Sequence, residues 1–155
     1  MDSRVAVASL GGTITMTGSG AVSPTLGAKD LVGGLDVGEI ATLATIPGAS
    51  LTFQTLLDAY DWADKQVSRG ARGVVIIQGT DTLEETAYFF DCLWPHEEPI
   101  VVTGAMRHPG LPGPDGPANL AAAVATAGSS NSRGRGALLV LNDEIHAAQI
   151  GRAHV

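Results

Sequence analysis

Short apolar runs alternate along the chain with amphipathic stretches of helical period. Residues 4–9, 40–46, 74–77, 100–103 and 137–141 read as strands. The run Val74-Val75-Ile76-Ile77 is β-branched throughout, as expected of a central strand covered on both faces. Phe53, Leu56, Leu57, Tyr60, Ala63 and Val67 recur at helical spacing, predicting a helix over 52–69 with Gly70 as its C-terminal glycine. Thr82 with Glu85 forms a capping-box pattern and opens a second helix, 82–93, that ends before Pro95. Pro117 suits the first turn of a helix over 118–127, and 29–35 reads as a short helix. Residues 15–26 carry glycine, serine and proline without apolar period and read as a mobile lid; 129–136 is a polar loop. Strand and helix signals alternate, and no internal repeat interrupts them. The expected architecture is therefore α/β, a three-layer Rossmann-like domain with a largely parallel sheet, in which 5–10 and 74–77 are neighbouring parallel strands.

Two of the strands run into Gly-Thr turns. Val5-Ala6-Val7-Ala8-Ser9-Leu10 leads into Gly11-Gly12-Thr13-Ile14, and Gly73-Val74-Val75-Ile76-Ile77 leads into Gln78-Gly79-Thr80-Asp81-Thr82. In parallel α/β sheets ligands bind at the carboxyl ends of strands. Glycine lets the backbone turn sharply there and leaves the next hydroxyl exposed. Two hydroxyls and a carboxylate have the makings of a nucleophile with supporting groups. The bare residues leave a structural alternative open, since Thr after Gly is common in turns and Asp81 could cap the following helix with Thr82.

These segments resemble the two signatures of the bacterial L-asparaginase (asparaginase/glutaminase) family. The order is kept through Leu83-Glu84-Glu85-Thr86-Ala87, Val102-Thr103-Gly104-Ala105-Met106-Arg107, Asp115-Gly116-Pro117-Ala118-Asn119-Leu120 and Leu141-Asn142-Asp143. The resemblance covers residues 4 to about 149 and corresponds to the N-terminal portion of such enzymes. It implies hydrolysis of L-asparagine to L-aspartate and ammonia, with Thr13 as nucleophile. Thr80 and Asp81 would belong to a Thr-Lys-Asp relay whose Lys lies beyond this chain, and Asp81 also suits a substrate α-ammonium. Ser50, at a loop leading into a helix N-terminus, either contacts substrate or caps the helix. The Ala105 backbone is expected to line the pocket, and Arg107 to be structural. Many relatives carry a lid tyrosine; residues 15–26 have none, and Tyr60 and Tyr88 read as helix core. The resemblance also implies a small amino-acid amide as substrate, no cofactor, and a homo-oligomer at full length.

The end of the sequence departs from the pattern. Residues 1–148 are expected to be the incomplete N-terminal domain. Gln149-Ile150-Gly151-Arg152-Ala153-His154-Val155 is expected to be a non-native tail, because ATC GGA AGA GCA CAC GTC, a run found in a sequencing adapter, encodes residues 150–155. A chain cut before the C-terminal domain is expected to be inactive alone.

Composition narrows the alternatives. A net charge of -7 argues against a polyanionic partner such as nucleic acid. No apolar run approaches a membrane span. Met1-Asp2-Ser3-Arg4 is a poor signal n-region, so the expected location is cytoplasmic. Cys92 cannot form an internal disulfide and reads as a buried small hydrophobe. His96, His108 and His146 lack metal-ligand spacing, and no metal site is expected. Gly11-Gly12 completes neither a dinucleotide nor a phosphate-loop fingerprint. Two other readings remain: an amidase subunit of a tRNA-dependent amidotransferase, and a noncatalytic amino-acid- or nucleotide-binding Rossmann-like module.

Overall fold

The computed structural model describes residues 4–17, 23–24 and 26–150. Strands β1 (Ala6–Gly11), β4 (Ile40–Ile46), β5 (Val74–Ile77), β6 (Ile100–Thr103) and β7 (Ala137–Leu141) are joined to β8 (Glu144–Ala147) in one sheet. The sheet order is β4-β1-β5-β6-β7-β8. All pairs are parallel except β7–β8. β1 and β5 are parallel neighbours as expected, with Ala6 opposite Val74 and Ser9 opposite Ile77.

The pleat divides the strand residues between two cores. On one face Ala8, Leu10, Ile76, Val102 and Leu139 pack against α2 (Phe53–Ser68) and α3 (Leu83–Leu93). On the other, Val7, Val75, Ile77, Val101 and Val140 pack against α1 (Ala28–Val32) and α4 (Gly116–Gly128). This gives the three layers that the all-apolar strands require. Gly70, at φ 99°, ends α2 as a C-terminal glycine should.

Helix faces differ from the sequence reading in detail. The buried stripe of α2 is Leu56, Ala59, Ala63, Gln66 and Val67, while Phe53 and Leu57 are exposed. In α3 the stripe is Leu83, Thr86, Ala87 and Phe90. Tyr88 and Cys92 lie off that stripe and are exposed, which corrects their expected burial. Cys92→Ser should therefore change stability by less than about 0.5 kcal/mol, the range of surface substitutions, in urea unfolding. The native thiol should label with a maleimide without denaturant.

Thr82 does not close a capping box: it has no side-chain cap bond, and its hydroxyl donates to the Gly48 carbonyl at 3.4 Å. The expected lid lies partly outside the described residues. Within them, β2 (Met16–Thr17) pairs antiparallel with β3 (Ser23–Pro24), and Leu26 N donates to Thr15 O at 2.9 Å. The two ends of that segment are thus hydrogen-bonded to each other. The last sheet strand, β8, is an addition that the sequence reading did not contain. Asn142 and Asp143 both take positive φ, 53° and 60°, and close a two-residue hairpin from β7. No helix among the described residues is long and apolar enough to cross a membrane.

Candidate active site

From β1 the chain moves outward to β4 and then returns to the other side of β1 as β5. The strand order therefore reverses between β1 and β5, and the crevice outside their carboxyl ends is where an open α/β sheet binds ligands. Both Gly-Thr turns lie there, as 3-10 turns Thr13–Thr15 and Thr80–Thr82. Their glycines touch backbone to backbone: a Cβ on Gly12 would overlap Gly79 N and Cα. A Cβ on Gly79 would come within 2.6 Å of Gly48 N. Three turns, carrying Gly12, Gly48 and Gly79, thus meet without intervening side chains.

The structure brings the expected residues to this junction. Thr13 and Thr80 are half-buried and Asp81 is exposed. Among the described residues Asp81's carboxylate has no hydrogen-bond partner, so it does not cap α3. Ser50 ends the 3-10 turn Gly48–Ser50 and is exposed. The cap of α2 is Thr52, whose hydroxyl accepts from Thr55 N at 3.2 Å, which removes the capping alternative for Ser50. Ala105 is 1% exposed, and the turn that carries it leans on the second Gly-Thr turn. A Cβ on Gly104 would lie 3.2 Å from Thr80 Cγ2. A cavity of about 200 Å³ lies beside these turns, lined by Ile14, Leu31, Ala105 and Leu120. Its lining contains neither Thr80 nor Asp81, so it is distinct from their crevice.

The profile of the family described as "Asparaginase, N-terminal" matches residues 4–152. The chain belongs to the asparaginase family. A glutaminase-asparaginase from Pseudomonas fluorescens biotype A is 35% identical over 161 residues, covering 94% of this chain and 44% of the relative. A probable periplasmic L-asparaginase from Haemophilus influenzae is 35% identical over 158 residues, covering 94% of this chain and 45% of the relative. The crystal structure of a probable cytoplasmic L-asparaginase from Campylobacter jejuni superposes with a TM-score of 0.85 at 30% identity, covering 96% of this chain and 47% of that one. The chain spans about half the length of the asparaginases it matches. These relatives lend no support to the amidotransferase-subunit or binding-module alternatives.

Two further side chains, Gln78 and Asp115, shape these turns, and neither is a site candidate on the sequence alone. Gln78 is fully buried, and its Nε2 donates to Gly79 O at 3.2 Å and to Thr82 Oγ1 at 3.4 Å, fixing the second turn from beneath. Asp115 accepts from the backbone of Met106 and Arg107, both at 2.9 Å. Arg107 Nη1 donates to Pro112 O at 3.2 Å, consistent with a structural role. Among the described residues no group of three His, Cys, Asp or Glu side chains is arranged to hold a metal ion.

Desolvation, the largest single influence on Asp115, pushes its carboxyl up. The Met106, Arg107 and Asp115 backbone N–H groups and the Asn119 amide together outweigh it and hold the carboxyl below its usual value. A depressed carboxylate adds stability that is fully present above its unfolded value, about 3.9, and is lost as pH falls through the lower folded value. Asp115→Asn should lower stability at neutral pH and remove this part of the acid sensitivity. Unfolding curves of the two proteins should therefore stay apart by a constant amount down to about pH 3.9 and converge as the pH is lowered further.

Proposed function

We propose that the full-length protein hydrolyses L-asparagine to L-aspartate and ammonia through a threonine nucleophile. The Thr13 hydroxyl adds to the carboxamide carbon, and the C–N bond breaks to release ammonia. Water then cleaves the resulting ester and restores the hydroxyl. Thr80 lies across the junction as the second hydroxyl, Asp81 pairs with the substrate α-ammonium, and Ser50 and the Ala105 backbone contact the rest of the amino acid. The backbone contact between Gly12 and Gly79 at the reversal of strand order carries this reading. The name of the Pseudomonas relative supports glutamine as a further substrate. We also assign the protein to the cytoplasm, as in the name of the Campylobacter structure, and to a homo-oligomer at full length.

The test is ammonia and aspartate release from L-asparagine by the purified full-length protein, in equal amounts. Added hydroxylamine should divert part of the product to the aspartyl hydroxamate, because an acyl-enzyme is open to any small nucleophile. No ammonia release, or release without any hydroxamate, would count against the reading.

A further inference from the structure

The segment Asp115-Gly116-Pro117-Ala118-Asn119 opens α4, yet its polar groups point away from the helix and into the turns at the strand ends. Asn119 is 2% exposed and has a fixed amide orientation. Its Nδ2 donates to Gly104 O at 3.0 Å and to Asp115 Oδ2 at 3.1 Å, and its Oδ1 accepts from Asn142 N at 3.0 Å. Only that orientation matches donors to acceptors. Asp115 in turn holds Met106 N and Arg107 N. The turn after β6 is thereby held at Gly104, Met106 and Arg107, and the turn after β7 at Asn142.

Packing adds the remaining tie. A Cβ on Gly116 would come within 2.7 Å of Ile14 Cγ1 and 3.5 Å of Ala105 Cβ, so the first turn of α4 rests directly on the residue after Thr13. On its other side, Gly104 approaches Gln78 O so closely that a Cβ would sit 2.5 Å from it. Small displacements of α4 therefore reach the first Gly-Thr turn through the Ile14 side chain and the second through Ala105 and the Gly104 backbone.

We propose that Asn119 and Asp115 are positioning residues that hold the 104–107 turn against Thr80, and so set the Ala105 backbone for substrate binding. This rests on the asparagine-hydrolysing reading above. Gly116 plays the complementary part for Thr13, by leaving room for Ile14. Losing a ground-state contact raises KM without lowering kcat, whereas displacing the nucleophile lowers kcat.

The experiment is steady-state kinetics on L-asparagine with thermal midpoints, in the full-length protein. Asn119→Ala should raise KM about tenfold with kcat within about threefold, and Asp115→Asn should do the same more weakly. Gly116→Ala should instead lower kcat, about tenfold. The control is Thr126→Ala, in the same helix, whose buried hydroxyl donates to Ala122 O at 2.8 Å. It should lower the midpoint without moving KM. Unchanged KM in both Asn119→Ala and Asp115→Asn overturns the inference, as does an equal KM rise in Thr126→Ala. Should Asn119→Ala fail to fold, Asp115→Asn decides alone. A wild type that releases no ammonia overturns the functional reading itself, and this inference with it, before any variant is made.

Discussion

Thr13→Ala in the full-length protein should cut kcat for asparagine hydrolysis by about 10³-fold or more, the usual consequence of removing a covalent nucleophile. The change deletes a hydroxyl and a methyl from a half-buried position. Among the described residues that hydroxyl has no hydrogen-bond partner, so its loss orphans none of their polar groups. The thermal midpoint should stay within a few degrees of wild type, and Thr13→Ser should retain measurable turnover because it keeps the attacking oxygen. Thr80→Ala should also lose activity, and the pattern across the two variants separates their roles. If Thr13 carries the acyl group, hydroxamate formation disappears in Thr13→Ala and persists at a reduced rate in Thr80→Ala. The reverse pattern would move the nucleophile to Thr80. Near-normal turnover in Thr13→Ala would remove the threonine mechanism at the first turn altogether.

The parts of this molecule that could be read from sequence are those where one local signal decides the outcome. A β-branched run such as 74–77 has few conformations other than a buried strand, and its limits agree with β5. The Gly-Thr turns were legible because strand carboxyl ends have a fixed relation to ligand sites in a parallel sheet. What could not be read depends on partners distant in sequence. Thr82 has a capping pattern, but the approach of Gly48 offers its hydroxyl a carbonyl 34 residues away. Cys92 sits among apolar letters, yet its angle around α3 turns it from the stripe that ends at Phe90. The β8 hairpin is marked by Asn142-Asp143, two residues that tolerate positive φ, but the alternation in Glu144-Ile145-His146-Ala147 is only four residues long, too short to announce the returning strand. Asp115 and Asn119 were visible as letters of a motif. Their bonds to Gly104, Met106, Arg107 and Asn142 exist only once β6 and β7 lie side by side.

Gly12→Ala should be among the most damaging single-methyl additions to this chain, and Gly79→Ala the informative comparison. Gly12 has φ 90° and ψ -174°, a region open essentially to glycine alone, which costs a side-chain-bearing residue on the order of 1–3 kcal/mol. Its added Cβ would also overlap the Gly79 backbone, which cannot rotate aside as a side chain could. Gly79 has an ordinary φ of -68°, so alanine there carries no conformational strain, and its Cβ meets the Gly48 backbone, 2.6 Å from N and 2.9 Å from Cα. Urea unfolding should therefore show a loss of about 3 kcal/mol or more for Gly12→Ala and a smaller one for Gly79→Ala. Activity should not follow that ranking. The Gly12 methyl pries the two Gly-Thr turns apart and the Gly79 methyl lifts the second of them off Gly48, each by a fraction of an ångström to an ångström, and misplacement on that scale costs about 10²-fold in rate. Gly79→Ala should then be a well-folded protein with little activity, the result expected if the contact between turns exists for chemistry rather than for stability. A Gly79→Ala protein with wild-type kinetics would show that the seating of the second turn against Gly48 does not matter to the reaction, and a Gly12→Ala protein that folds with wild-type kinetics would show the same of the contact between the two Gly-Thr turns, on which the proposed function stands.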